Sequence, residues 1–282
     1  MARSFASYDG TVLAYRRTGA GDPLVCLPGG PGRDADYLGD LGGLDRRAGW
    51  ELVVFEPRGT GASAAPADPA TYRIDRMAED VEALRVHLGL DKMGLLGHSA
   101  GGDLALQYAA RYPERLSRLI LVTPALRSVG LDVTDDKFLA NLDRRSAEPW
   151  FADAKAAVLA MLDGDQSAET RRKYRPFLYG RWDEAARAHV AAEARNPAVA
   201  AVYYAEAAFD PADTRARLAR LTAPVLILAG ELDVNPTADL AARAAPIFPA
   251  AEVIVQPAAA HFPWIDDPAA FTSALSRFLA RA

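Results

Sequence analysis

Short apolar runs alternate with helical segments along the first 124 residues, and this alternation restricts the fold more than any other feature of the sequence. Residues 11–15 follow an Asp-Gly turn and are predicted to form half of an N-terminal hairpin. Further strands are predicted at residues 24–27, 52–55, 93–96 and 119–122, and each is apolar on both faces. Strands of that kind are typical of a parallel sheet covered on both sides. The pattern therefore indicates an α/β fold with a mostly parallel central sheet flanked by helices.

Helical periodicity separates these strands and returns near the end of the chain. Apolar residues at three- and four-residue spacing predict an amphipathic helix over about 75–88, which ends before Gly89. The alternation resumes with a strand at 225–228, a helix at 237–245, a strand at 253–255 and a final helix at 268–280. Both ends of the chain thus contribute the same kind of unit.

The middle of the chain lacks a convincing buried strand and is rich in Ala, Arg, Asp, Glu and aromatic residues. We therefore predict a core domain formed by residues 1–124 and 215–282, with residues 125–214 inserted as a helical cap. An insertion that leaves and rejoins a sheet at strand ends lies over its carboxyl edge, where open α/β sheets bind ligands. The cap is accordingly predicted to be a lid.

The pentapeptide Gly-His-Ser-Ala-Gly, residues 97–101, lies where a predicted strand meets a predicted helix. A side chain held in so tight a turn takes a strained backbone conformation, and small neighbours relieve the crowding. The hydroxyl of Ser99 would then project above the sheet at a helix N-terminus, where the amide of Ala100 can stabilise negative charge. This context identifies a nucleophile elbow, with Ser99 as the predicted nucleophile.

A serine nucleophile needs a base near neutral pH, and the base needs a partner that orients it. Of the four histidines, His261 is favoured because it follows the last predicted strand and can reach the edge of the sheet. The others lie in a helix, in the elbow and in the cap: His87, His98 and His189. The orienting acid should follow the preceding strand, where Asp233 is favoured and Glu231 is the alternative.

The chain order Ser99, Asp233, His261 is that of the α/β-hydrolases, which the sequence resembles over essentially its whole length. The glycine-rich stretch Pro-Gly-Gly-Pro-Gly at 28–32 is similar to the His-Gly-Gly-Pro-Gly signature of the proline iminopeptidase branch, with Pro28 in place of His. Residues 56–63 resemble the Asp-Gln-Arg-Gly-x-Gly-x-Ser run of the same branch. The family context implies that consecutive glycines 29 and 30 approach the reacting carbonyl, with the Gly30 amide as the second oxyanion donor beside Ala100.

The resemblance also implies an activity: members of that branch remove an N-terminal proline and use acidic lid residues to hold the free amine. The family's amine-binding glutamate corresponds here to Ala200, so another acid would have to serve. Glu206 is the first candidate and Glu193 the second, with Glu184 as a further choice. Three aromatic residues are predicted either to line an apolar substrate pocket or to pack the lid on the core: Trp182, Tyr203 and Tyr204.

Composition and absent motifs exclude several other functions. The net charge is −5 and the 32 basic residues are dispersed, which argues against nucleic acid or a membrane as a partner. No His-Glu-x-x-His, cysteine pair or phosphate-binding loop is present, so neither a metal nor any other cofactor is expected. The N-terminus lacks a signal-peptide pattern, and a cytoplasmic location is expected.

The sequence thus predicts a cofactor-free serine hydrolase that acts through an acyl-enzyme on a small molecule or short peptide. An aminopeptidase releasing a small or proline N-terminal residue is the leading function. An esterase or lactonase acting on a small uncharged substrate is the alternative. The sequence leaves the oligomeric state open.

Overall fold

The computed structural model describes residues 2–46, 49–165, 167–191 and 194–281. Its centre is one eight-stranded sheet with the strand order β1-β2-β4-β3-β5-β6-β7-β8. The strands are β1 (Arg3–Ala6), β2 (Val12–Gly19), β3 (Gly21–Leu27), β4 (Gly49–Glu56), β5 (Met93–His98), β6 (Leu116–Val122), β7 (Val225–Gly230) and β8 (Ala251–Gln256). Strands β1 and β4 are antiparallel to β2, and every other neighbouring pair is parallel. The predicted α/β fold with a mostly parallel sheet is confirmed.

Alternate residues of each central strand supply two separate hydrophobic cores, one on each face of the sheet. In β3, Val25 and Leu27 belong to one core, whereas Leu24 and Cys26 belong to the other. In β5, Leu95 and Leu96 divide in the same way. This two-residue period, with apolar residues on both faces, is why the strands read as continuous apolar runs.

Helices cover both faces and also form the region between β6 and β7. They are α1 (Ile74–His87), α2 (Ala100–Arg111), α3 (Asp135–Asp143), α4 (Phe151–Leu162), α5 (Ala168–Tyr174), α6 (Glu184–Ala191), α7 (Pro197–Tyr203), α8 (Pro211–Leu218), α9 (Ala238–Ala244), α10 (Pro263–Asp266) and α11 (Pro268–Leu279). The predicted helices at 75–88, 237–245 and 268–280 are confirmed to within one residue at each end. Within the described ranges, no helix is long and apolar enough to cross a membrane.

Between β6 and β7 the described chain contributes helices and no strand to the sheet. The predicted boundary at residue 214 falls inside α8, which packs on the core helix α2. Gln107 of α2 donates a hydrogen bond of 3.1 Å to the hydroxyl of Thr214 in α8. We therefore propose that α3 to α7 form the cap and that α8 belongs with the core.

A buried arginine forms hydrogen bonds with three separate segments of the core. Arg58 is fully buried and lies in the loop after β4. Its Nε donates to Asp80 of α1 at 2.7 Å, and one of its terminal nitrogens donates to Asp9 of the hairpin turn at 2.8 Å. The same nitrogen also donates to the hydroxyl of Thr71 at 2.6 Å. Satisfying so many donors is what makes a buried guanidinium tolerable.

Removing one partner of this buried pair should destabilise the fold. We expect Asp80→Asn to lower the free energy of unfolding by about 3–5 kcal/mol, because it leaves the buried Arg58 with only the partly exposed Asp9 as a counter-charge. Urea denaturation followed by circular dichroism measures the change. The matched control is Asp213→Asn, which breaks the exposed pair with Arg217 and should change stability by less than about 1 kcal/mol. Equal losses in the two variants would contradict a special role for the buried pair.

Candidate active site

Ser99 lies in a tight turn around which backbone atoms pack closely against one another. It lies between the end of β5 and the start of α2, with φ of 53° and ψ of −124°. A Cβ atom added at Gly97 would lie 2.3 Å from the carbonyl oxygen of Gly101, and one added at Gly101 would lie 2.4 Å from that of Leu27. The glycines around the serine are therefore required because backbone approaches backbone here. The strained serine backbone is the conformation expected for an elbow.

Three side chains from separate loops form a hydrogen-bonded line at the carboxyl edge of the sheet. The hydroxyl of Ser99 lies 3.0 Å from Nε2 of His261. Nδ1 of His261 lies 2.8 Å from Oδ2 of Asp233, which is 1% exposed. Donation from Nδ1–H to the carboxylate leaves Nε2 as an acceptor for the serine proton. The arrangement can therefore take a proton from the hydroxyl.

The loop after β7 distinguishes the two acids that the sequence offers. The second carboxylate oxygen of Asp233 accepts the amide of Asn235 at 3.0 Å, which fixes the side chain towards His261. Glu231 instead accepts the amide of Ala258 at 2.8 Å and is exposed. The structure thus brings Asp233, and not Glu231, to the histidine.

Backbone hydrogen bonds of His261 hold the loop that carries it. The amide of His261 donates to the carbonyl of Leu178 in the cap region at 3.0 Å. Its carbonyl accepts the hydroxyl of Thr123 at 3.0 Å and lies 2.9 Å from Nε2 of His98. The imidazole is therefore positioned from both the core and the cap.

His98, the residue before Ser99, links the three loops of the site. The Gly29 amide donates to the hydroxyl of Tyr37 at 2.6 Å, and that hydroxyl lies 2.6 Å from Nδ1 of His98. With Tyr37 donating to Nδ1, Nε2–H is left to donate to the carbonyl of His261. Burial lowers the pKa of His98 well below its usual value, and the neighbouring His261 lowers it further. A neutral His98 places no positive charge beside the His261 ring, whose centroid is 4.9 Å away.

Two residues beside Ser99 have backbone amides that donate to no acceptor within the described chain. Gly30 and Ala100 both line a cavity with Ser99 and His261. In the described chain, the Gly30 amide donates to no protein acceptor. Ala100 is the first residue of α2, so its amide has no acceptor within the helix. Gly30 has a φ of 131°, and a Cβ added there would lie 2.6 Å from the Arg33 amide nitrogen, so glycine is required.

The cap segment before α7 is bonded directly to the loop that carries Gly30. The amide of Asn196 donates to the carbonyl of Gly32 at 2.8 Å, and the amide of Asp34 donates to the carbonyl of Ala194 at 3.0 Å. The Asn196 side chain also donates to the carbonyl of Gly59 at 2.9 Å. This short antiparallel bridge fixes the position of the cap relative to the site.

Two cavities meet at Ser99. The smaller has a volume of about 260 Å³ and lies against Tyr204 and the loop after β6. The larger has a volume of about 720 Å³ and extends under the cap. Ser99 and His261 line both of them. The two halves of a molecule attacked at Ser99 can therefore occupy different cavities.

Of the three aromatic residues predicted to line a pocket or to pack the lid, one lines a cavity and two do not. Tyr204 lines the smaller cavity and donates to the carboxylate of Asp103 at 2.9 Å. Tyr203 is buried and donates to the carbonyl of Ala100 at 2.9 Å, so it supports the elbow helix and lines neither cavity. Trp182 also lines neither and packs on Tyr179, with ring centroids 5.6 Å apart. Tyr203 and Trp182 thus pack against the two hydrophobic cores of the sheet.

Of the other residues predicted to contact the substrate, one lies away from both cavities, one lies outside the described residues and one lies against Ser99. Glu206 is exposed in the turn after α7 and lines neither cavity, because Tyr203 and Tyr204 turn that side of the segment towards the core. Glu193 lies outside the described residues. Gly29 approaches the nucleophile closely, since a Cβ added there would lie 2.7 Å from the Cβ of Ser99.

Sequence reasoning missed several residues that surround Ser99. His98 and Tyr37 were not recognised as partners, because nothing in the sequence links two residues that are 61 positions apart. Four arginines that line the larger cavity were also missed: Arg33, Arg171, Arg175 and Arg195. The sequence contains an indication for three of them. Arg33 directly follows the glycine-rich stretch, and Arg171 and Arg175 lie in a basic run of the cap. Among the described residues, no group of three or more His, Cys, Asp or Glu side chains could hold a metal ion.

Comparisons with known proteins identify the family to which the chain belongs. The family model of the alpha/beta hydrolase fold matches residues 22–268. A proline iminopeptidase of Saccharolobus solfataricus is 42% identical over 122 residues, which cover 43% of this chain and only 39% of that relative. A proline iminopeptidase of Levilactobacillus brevis is 27% identical over 269 residues, which cover 92% of this chain and 88% of the relative. The resemblance to the proline iminopeptidase branch is confirmed.

Solved structures show the same fold. An esterase of Exiguobacterium antarcticum superposes with a TM-score of 0.73 at 21% identity, covering 99% of both chains. At that identity the likeness carries the fold alone.

The close packing around Ser99 predicts which glycine tolerates a methyl group. We expect Gly101→Ala to lower the free energy of unfolding by about 1–3 kcal/mol, because its Cβ meets backbone atoms that cannot move aside. Gly94→Ala in β5 is the matched control, since its Cβ would meet the flexible Leu24 side chain at 3.1 Å. Urea denaturation of both variants measures the difference. A Gly101→Ala protein as stable as the Gly94→Ala protein would show that the elbow has room to relax.

Proposed function

The chain belongs to the alpha/beta hydrolase fold family, and from that premise we propose that it is a serine hydrolase whose triad is Ser99, His261 and Asp233. The observation that carries this proposal is the hydrogen-bonded line from the Ser99 hydroxyl through His261 to the buried Asp233. A nucleophile, a base and an orienting acid in that geometry are what acyl transfer requires.

The proposed reaction proceeds through an acyl-enzyme. The Ser99 oxygen attacks the substrate carbonyl carbon while Nε2 of His261 takes the hydroxyl proton. The resulting oxyanion is stabilised by the amides of Gly30 and Ala100. His261 then gives the proton to the departing oxygen or nitrogen, and the bond to that atom breaks. Water, activated by His261 in the same way, attacks the acyl-enzyme and releases the acid and the Ser99 hydroxyl.

An ester or lactone is the substrate class that the surroundings of Ser99 favour. Recognition of a free amine requires a carboxylate in the site, because a buried ammonium without one binds poorly. Glu206, the first candidate for that role, is exposed and lines neither cavity. None of the described residues that line the larger cavity is Asp or Glu. An ester or lactone needs no such carboxylate.

An aminopeptidase acting on a proline-like N-terminal residue is the second candidate. It is favoured by the similarity to proline iminopeptidases, one of which is matched over 88% of its length. The smaller cavity also contains one carboxylate, Asp132, which is paired with Arg127 at 2.9 Å. That carboxylate is the described group best placed to meet a substrate amine.

Substitution of each triad residue tests the mechanism. We expect Ser99→Ala, His261→Ala and Asp233→Asn each to lower kcat for p-nitrophenyl butyrate by roughly a thousandfold or more, because the three act as a unit. Ser99→Ala should also abolish labelling by a fluorophosphonate probe. The matched control is Glu231→Gln, which removes the neighbouring acid and should retain turnover. Loss of turnover in Glu231→Gln together with retention in Asp233→Asn would overturn the assignment of the acid.

The two candidate functions can be distinguished because only the aminopeptidase requires a substrate with a free, charged amine. We expect p-nitrophenyl butyrate to be hydrolysed, and proline p-nitroanilide to be cleaved no faster than its N-acetylated form, because the described lining of the larger cavity holds no carboxylate and Asp132 of the smaller cavity is already paired with Arg127. Values of kcat/KM for the three substrates measure this. A strong preference for the free amine that disappears in Asp132→Asn or Glu193→Gln would instead establish the aminopeptidase.

A further inference from the structure

A buried carboxylate outside the proposed triad lies close to the loop that carries His261. Asp266 is the last residue of α10 and is 8% exposed. One of its carboxylate oxygens accepts the amide of Ala260 at 2.7 Å, and the other accepts the amide of Gly180 at 2.8 Å. Asp266 thus connects the residue before His261 with the segment between α5 and α6 in the proposed cap.

The two segments that Asp266 connects also touch each other directly. The amide of His261 donates to the carbonyl of Leu178 at 3.0 Å. A Cβ atom added at Gly180 would lie 1.9 Å from the carbonyl oxygen of Ala258, so backbone approaches backbone there as well. This contact between residues 178–180 and residues 258–261 is the cap junction.

The cap side of the junction is held from behind by Arg145, which is 4% exposed. Its guanidinium donates to the carbonyl of Tyr179 at 3.0 Å and to that of Gly180 at 3.1 Å. The carbonyl of Leu178 and the amide of Gly180 are bonded to His261 and Asp266. Four backbone groups of three consecutive residues are therefore fixed, and the segment can serve as a support for the loop opposite it.

The backbone of the His261 loop determines where its imidazole lies. Nε2 of the ring is 3.0 Å from the Ser99 hydroxyl, and Nδ1 is 2.8 Å from the Asp233 carboxylate. The loop is further tied to the loop of Asp233, because the amide of Leu232 donates to the carbonyl of Ala259 at 2.8 Å. A misplacement of about 1 Å in a catalytic group can lower a rate by roughly a hundredfold. Groups that fix this backbone therefore act on the reaction.

We propose that Asp266 is a positioning residue for His261, the base of the proposed triad. It fixes the loop of His261 against residues 178–180 and so keeps the imidazole in line between Ser99 and Asp233. Asp266 lines neither cavity, so it acts through His261 and not on the substrate. The proposal rests on the proposed serine hydrolase function.

The junction requires a carboxylate and not an amide at this position. Each oxygen of Asp266 accepts one backbone amide, whereas an asparagine has a single acceptor oxygen and would turn an NH₂ group towards the other amide. Hydrogen bonds from backbone amides to an ionised carboxylate are also stronger than those to a neutral group. Burial raises the pKa of Asp266 to about 6, although the amides of Ala260 and Gly180 oppose the increase. The carboxylate is therefore ionised at pH 8.

Removal of one acceptor oxygen tests the proposal on the full-length protein at pH 8. We expect Asp266→Asn to lower kcat for p-nitrophenyl butyrate by about tenfold to a hundredfold and to change KM by less than about threefold, because the base is misplaced. The rate at which a fluorophosphonate labels Ser99 should fall by a similar factor, since labelling needs the same base. The downfield proton resonance of Nδ1–H of His261 should shift or broaden, which reports directly on its hydrogen bond to Asp233.

Asp267→Ala is the matched control, because it removes the adjacent acid. Asp267 is exposed and accepts the amide of Ala270 at 2.9 Å, so it caps α11 and does not touch the junction. Its loss should lower the midpoint of urea denaturation and leave kcat, the labelling rate and the His261 resonance unchanged. Comparison of the two variants separates a loss of stability from a loss of positioning.

Gly180→Ala tests the junction from the cap side without altering Asp266. Its Cβ would push the segment away from Ala258, so we expect the same fall in kcat and in the labelling rate. Circular dichroism of each variant establishes that it is folded before its rates are compared. Agreement between Gly180→Ala and Asp266→Asn would show that the cap junction, and not one side chain alone, positions the base.

The results that would overturn the proposal differ from those that would overturn the proposed function. Unchanged kcat, labelling and resonance in a folded Asp266→Asn protein would refute the positioning role, and so would an equal fall of kcat in Asp267→Ala. Failure of both Asp266→Asn and Gly180→Ala to fold would also refute it, since the junction would then serve the fold and not His261 in particular. Absence of ester hydrolysis and of Ser99 labelling in the unaltered protein would instead refute the serine hydrolase itself.

Discussion

The contact between two backbones, where the start of α2 meets the end of β3, determines the rest of the site. Carbonyl oxygens of β3 and the loop after it occupy the space that side chains would need at Gly101, so the elbow must be built from glycine. That packing holds Ser99 at a positive φ and points it over the carboxyl edge of the sheet. The loops after β7 and β8 reach the same edge because parallel strands end there together. The close packing at the elbow and the common edge of the parallel strands together bring residues from distant parts of the chain to a single point.

Much of this arrangement could be predicted from the sequence because it depends on local rules. Alternating apolar runs reveal buried strands, and a serine between glycines at a strand end reveals the elbow. The order of Ser99, Asp233 and His261 then follows from which loop comes after which strand. The structure brings these three residues together, and their catalytic role stays a proposal.

The parts that could not be predicted depend on how the cap sits on the core. The sequence favours Glu206 because it lies near an aromatic run, yet Tyr203 and Tyr204 direct that run to the core and leave the glutamate exposed. The orientation of a short helix such as α7 is fixed by its tertiary contacts, and no periodicity in seven residues reveals it. The link from Tyr37 to His98 lies within the core and could not be predicted for a different reason, since it joins segments that only the folded sheet brings together.

The hydrogen bonds between cap and core also restrict which other caps this protein could accept. His261 donates its amide to the cap at Leu178, and the loop of Gly30 exchanges hydrogen bonds with Ala194 and Asn196. The proposed cap is thus a structural neighbour of the proposed catalytic loops. Exchange of this insert for one from a relative would have to supply an equivalent carbonyl and amide at the same places. We therefore expect changes of substrate range by cap replacement to be coupled to changes of catalytic rate in this protein, and grafted caps that keep those two junctions to preserve both.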